Sequence, residues 1–110
     1  MIVDERTYTI KAGRVNEFVD LLRPEILPLQ QRLLGQLLGY FYTEIGTLNQ
    51  VVHLWGYTDM ADRERRRAAM AAYPGWKELT QPVLSLIVAQ ENRILIPTDF
   101  GLPREFRSMS

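Results

Sequence analysis

The stretch YFYTEIGTLNQVVHLWGY, residues 40–57, constrains the fold more than any other segment. Aromatic and β-branched residues crowd both sides of GTLN (46–49), whose glycine and asparagine suit a compact turn. Residues 37–45 and 50–58 therefore read as an antiparallel hairpin. A four-residue loop sets Tyr42 opposite His53 and Tyr40 opposite Trp55. Antiparallel partners point the same way, so Tyr40, Tyr42, Glu44, Val51, His53, Trp55 and Tyr57 share one face. Phe41, Thr43, Ile45, Val52, Leu54 and Gly56 take the other. A slip of one residue would exchange the two faces.

The flanking segments supply the rest of a small sheet and its cover. IVDERTYTI (2–10) alternates as a strand, with Ile2, Arg6, Tyr8 and Ile10 on one side. Val15, Phe18, Val19, Leu22, Ile26, Leu29 and Leu33 recur at spacings of three and four, the stripe of a helix packed on one side. Pro24 and Pro28 lack an amide hydrogen and predict a kink or a restart near residue 24. Gly35 reads as the helix stop and Gly39 as strand relief or a bulge. Asp59 caps a second helix running to about Tyr73, where YPGW breaks it. Trp76, Leu79 and Val83 then mark a short further helix, and IVAQENRILI (87–96) is the last strand, stopped by Pro97. The order strand, helix, strand, strand, helix, strand is α+β: a ferredoxin-like βαββαβ unit with a four-stranded antiparallel sheet in the order 4-1-3-2. Residues 1–100 read as one domain, and 101–110 as a C-terminal extension or loose tail.

Composition narrows the chemistry. The chain has no cysteine, which excludes disulfides and thiolate chemistry, and its single histidine gives no metal-ligand spacing. No metal or cofactor is expected. Thirteen basic residues balance thirteen acidic ones, so no global field draws nucleic acid or an anionic membrane. MIVDERTYTI has charges where a signal peptide would be apolar, and no run is long enough for a membrane span, which predicts a soluble cytoplasmic chain. DRERRR (62–67) spreads around a helix, and Asp62 reaches Arg66 at the i,i+4 spacing, so it reads as a solvated or ion-paired face. Arg93 is placed to neutralise Glu91 or a carboxylate of a partner.

Helices cover only one face of a four-stranded sheet, and the other must meet water, a ligand or another subunit. The aromatic, histidine-bearing face suits a dimer interface or a ligand cavity, since tyrosine and tryptophan bury area while keeping a polar group. Tyr8, Tyr40, Tyr42, Glu44, His53, Trp55 and Tyr57 are therefore the candidate ligand or interface residues. His53 is the one side chain here that exchanges protons near neutral pH when unperturbed. With Glu44 diagonal to it and Tyr42 opposite, it serves either as a general base or as a satisfied structural ring, and the second reading has more support.

ERTYTIKAG, LLGYFYTEIGTLNQVVHLWGYTD, RRRAAM with YPGW, and AQENRILIPTDF together resemble the NIPSNAP family over about residues 2 to 100. Glu44, Asn49, His53 and Trp55 fall in its most recognisable stretch. The resemblance implies a place in the dimeric α+β barrel superfamily, where ferredoxin-like units associate through their sheets. It implies a homodimer, or a higher oligomer, of structural or small-ligand-binding role that takes a small hydrophobic or aromatic compound. The alternative it carries is a cofactor-independent monooxygenase acting on a small aromatic or polyketide-like compound. In that case Tyr8, Tyr42, His53 and Trp55 line the cavity and His53 is the weak catalytic candidate. A haem-binding role would need an axial ligand in the helix-side cavity, and His53 is expected away from it.

Overall fold

β1 (Ile2–Ile10) runs through the middle of the computed structural model, which describes residues 1–107. It pairs antiparallel with β3 (Gln50–Tyr57) on one side and β4 (Ile87–Leu95) on the other. β2 (Gln36–Tyr42) completes the sheet in the order β2-β3-β1-β4, the arrangement expected from the element pattern.

Between β1 and β2 the apolar stripe forms α1 (Val15–Leu21) and α2 (Leu27–Leu33), joined by a π-helical turn over Leu22–Ile26. The predicted interruption at Pro24 thus takes the form of one widened turn. Leu22 and Ile26 both stay buried against the sheet across it. The chain then passes Gly35, where an added Cβ would collide with the carbonyl oxygen of Gly56. Backbone lies on backbone there, so no side chain fits. Leu37 faces Trp55 and Gly39 faces Leu54, leaving Leu38 as the extra residue of a bulge where Gly39 predicted one.

The hairpin register differs from the expected one. Tyr42 lies opposite Val51 and Tyr40 opposite His53, a displacement of two residues. The chain leaves the ladder at Thr43, whose amide donates to the Gln50 carbonyl at 3.0 Å, and residues 43–49 form the connection. Positive φ at Gly46 (119°) and Asn49 (64°) turns it. Two is an even number, so the side chains that stay in the ladder keep their predicted faces, while Thr43, Glu44 and Ile45 leave it for the connection.

Asp59 caps α3 (Met60–Ala71) by accepting from the Asp62 amide at 2.8 Å. Asp62 in turn accepts from Arg66 at 2.8 Å and Arg65 at 3.0 Å, as the ion-paired reading of that helix requires. α4 (Trp76–Leu84) starts after Gly75, at φ 84°. Arg93 reaches across to Glu5 on β1 at 2.7 Å; Glu91, its expected neighbour, is not the partner. α5 (Arg104–Arg107) is a single turn within the predicted extension, and residues 108–110 lie outside the described residues. No helix among the described residues is long and apolar enough to cross a membrane.

Two expectations are corrected. The aromatic face is not the uncovered one: Val51, Trp55 and Tyr57 are buried in two clusters, with Phe18, Leu22, Ile26 and Val83 in one and Leu34 and Met70 in the other. The uncovered face carries Phe41, Val52 and Leu54. The second correction concerns the barrel. The α+β class and the four antiparallel strands stand, but the sheet is open, with β2 and β4 as separate edges. Closing a sheet on itself around packed side chains takes about eight strands.

Candidate functional site

Because the aromatic face lies under the helices, it lines a cavity between sheet and helices of about 190 Å³. β1 contributes Arg6 and Tyr8, β2 Tyr40, and β3 His53 and Trp55; Arg67 and Trp76 enter from α3 and α4.

His53 sits at the centre of this wall, 3% exposed. Its ring stacks on Tyr40, with centroids 4.5 Å apart and planes inclined by 17°, and meets the edge of Tyr8 at 4.8 Å. The indole N–H of Trp55 donates to Nδ1 at 2.8 Å. That bond fixes the tautomer: Nδ1 accepts, so a neutral ring carries its proton on Nε2. Nε2 is buried and has no protein partner among the described residues. Burial, and after it the positive charge of Arg6, push the imidazole down to about 3; Asp4 opposes this and Arg67 adds to it. At neutral pH the ring is an uncharged donor on the cavity wall. It is poorly arranged as a base, because its lone pair is already used by Trp55. The same bond disfavours Nε2 as a metal ligand, since that would put a proton on Nδ1 against the Trp55 N–H. Among the described residues no three histidine, aspartate or glutamate side chains converge as a metal site.

Behind the wall lies a charged cluster that the hairpin pattern does not reveal. Asp4 has no exposed surface and accepts from Arg6 at 3.2 Å, Arg63 at 3.0 Å and Asn92 at 3.2 Å. Burial pulls its carboxyl upward, but the bonds from Asn92 and Arg63 and the two guanidinium charges outweigh it and hold the carboxyl below its ordinary value. Arg6 also donates to the Tyr8 hydroxyl at 3.1 Å, which fixes that ring beside His53.

Of the seven candidate residues, Tyr8, Tyr40, His53 and Trp55 come together on the cavity wall. Tyr42 ends β2 largely exposed, and Glu44 lies in the exposed connection; neither lines the cavity. The two-residue displacement removes both from His53 and replaces Tyr42 by Tyr40. Tyr57 is fully buried but packs with Ile2, Leu34 and Met70 instead of lining it. His53 stands on the helix side, opposite to the expectation that placed it away from that cavity. The residues missed are Asp4, Arg67 and Gln30. A signal existed for two of them: Asp4 is in phase with Ile2 and Ile10, and Arg63, Arg67 and the buried Met70 fall on one line of α3.

Comparison with known proteins agrees with this architecture. The NIPSNAP family model matches residues 3–102. NipSnap homolog 2 of Mus musculus is 34% identical over 96 residues, covering 87% of this chain and 34% of the mouse protein, so the chain spans about a third of the length of that relative. A NIPSNAP-like domain protein from Burkholderia xenovorans has a crystal structure that superposes with a TM-score of 0.89 at 47% identity, over 93% of this chain and 89% of that one. An antibiotic biosynthesis monooxygenase superposes at 0.59 with 14% identity, over 89% of this chain and 99% of that one, a likeness of fold alone. With the match extending over nearly the whole chain, this protein belongs to the NIPSNAP family.

Proposed function

We propose that this domain binds a small molecule in the cavity between sheet and helices. One observation carries the reading: an imidazole on the cavity wall, held in one tautomer by Trp55, has a buried N–H with no protein acceptor among the described residues. A buried donor left without a partner costs about 1–3 kcal/mol, and a ligand acceptor removes that cost. The aromatic walls supply the apolar area that small-ligand sites use.

Native mass spectrometry of freshly purified protein tests it. A retained compound of small mass, released on denaturation, is the expected result. If no compound is retained, and neither charged nor neutral single-ring probes raise the melting temperature, the reading fails. The competing monooxygenase role predicts oxygen uptake with the retained compound that disappears in a folded His53→Gln variant. The geometry of His53, a donor with its lone pair occupied, favours binding over proton removal.

The uncovered face is the proposed meeting place of two copies. Phe41 stands 56% exposed there, beside half-buried Val52 and Leu54. Light scattering at micromolar concentration should return twice the chain mass; the chain mass at every concentration would contradict it.

A further inference from the structure

We infer that the cavity selects a single-ring aromatic monocarboxylate, held at its carboxylate by Arg67 and the His53 N–H. This rests on the ligand-binding reading and specifies its chemistry.

Charge comes first. Among the described residues two guanidiniums, Arg6 and Arg67, line the cavity, and no carboxylate does. Asp4, behind Arg6, is shared between Arg6 and Arg63. Arg67 makes no ion pair or hydrogen bond with protein among the described residues, although it is only partly exposed. The cluster of Asp4, Arg6, Arg63 and Arg67 therefore holds one negative and three positive charges. All three arginines are partly exposed, and an excess of partly desolvated cation favours an anion joining it. The other arginines of the same helix turn are accounted for, since Arg65 and Arg66 pair with Asp62.

Shape follows. His53 offers a neutral N–H acting as donor, and a guanidinium offers a planar fork, which together suit a carboxylate. The rings of Tyr8, Tyr40, Trp55 and Trp76 form the walls around them. An apolar cavity of roughly 150 Å³ holds a benzene. At about 190 Å³ this one takes a ring with a carboxylate and little more. Gln30 adds a third polar element: it lines the same cavity, and its buried side-chain oxygen has no partner among the described residues. A ring hydroxyl would satisfy it.

Isothermal titration calorimetry with 4-hydroxybenzoate, benzoate, benzamide and indole tests the assignment on the wild-type chain and on Arg67→Gln. The expected result is binding of benzoate at least tenfold tighter than its neutral isostere benzamide. 4-Hydroxybenzoate should bind tighter still, and Arg67→Gln should abolish the difference between benzoate and benzamide. Circular dichroism and melting of the variant confirm that it is folded. If benzamide or indole binds as well as benzoate, the carboxylate assignment falls while the ligand-binding reading survives. Benzoate binding that is unchanged in folded Arg67→Gln also overturns it. Binding of none of the four probes overturns it as well, and the retained-compound measurement then decides the broader reading alone.

Discussion

The two faces of this sheet are made from the same strands yet live in different media. On β3, Val51, His53, Trp55 and Tyr57 are buried under helices, while Val52 and Leu54, one residue away in each case, are half-exposed on the other side. The inner face carries charge as well as rings, with Asp4 sealed beneath it; the outer face carries a cross-strand ion pair, Glu5 with Arg93, at the surface. Hydrophobicity does not separate the faces. Their difference is that the inner face seals its carboxylate in a paired cluster around Asp4, whereas the outer face leaves its ion pair to water.

Substitutions measure that difference, and Trp55→Ala should show it most. It removes a fully buried ring and the hydrogen bond that orients His53, at an expected cost of about 3–5 kcal/mol in chemical denaturation. A cost below about 1 kcal/mol would mean that the inner face is not tightly packed.

Asp4→Ala comes next. It strands Arg6 and Arg63 without their shared carboxylate and should cost about 3 kcal/mol. Glu5→Ala, its neighbour on the outer face, should cost less than about 1 kcal/mol. Equal losses would erase the distinction between placed and solvated charge.

A smaller effect follows from pH. His53 titrates near 6.5 when unfolded and near 3 when folded, so the unfolded chain takes up the proton first. Its contribution is fully present above about 6.5 and is lost progressively as pH falls toward 3. Asp4, with its lowered carboxyl, keeps its contribution above the ordinary carboxylate value of 3.8 and loses it only as pH falls below that. Between pH 7 and 5 the wild type should lose about 1–2 kcal/mol more than His53→Gln, measured by urea denaturation at both pH values. Parallel losses would place the imidazole in water.

The smallest change belongs to the outer face. Phe41→Ala should alter the stability of a monomer by less than about 1 kcal/mol, because more than half of the ring is already exposed. In light scattering the same variant should shift the mass toward that of a single chain. A stability loss as large as that of Trp55→Ala, independent of protein concentration, would mean that the two faces are equally buried within one chain.

Much of this was legible in the residues. Element order, strand order, the interruption at Pro24, the bulge at Gly39 and the Asp59 cap follow from local rules. The hairpin register differs by two from the one a four-residue loop implies, yet the faces of its paired residues are the same because side chains alternate with a period of two. Which face the helices would cover was not legible: strand alternation distinguishes two sides without saying which is inside. A short loop puts Glu44 and Tyr42 in the site, and the longer 43–49 connection removes them. Asp4 was missed for a different reason. A carboxylate in a strand looks solvated until the arginines that meet it, one of them 59 residues away, are placed in space.

Trp55 and Trp76 are the chain's two tryptophans, and both line the cavity. The protein therefore has no bystander indole. All of its tryptophan emission arises from the walls of one small chamber. The two rings differ in setting: Trp55 is sealed and hydrogen-bonded to His53, and Trp76 is partly exposed at the start of α4. Trp55 should emit toward the blue and resist aqueous quenchers such as iodide, while Trp76 should emit toward the red and yield to them. An occupant that touches both rings would change colour, lifetime and quenching together, without any label being attached.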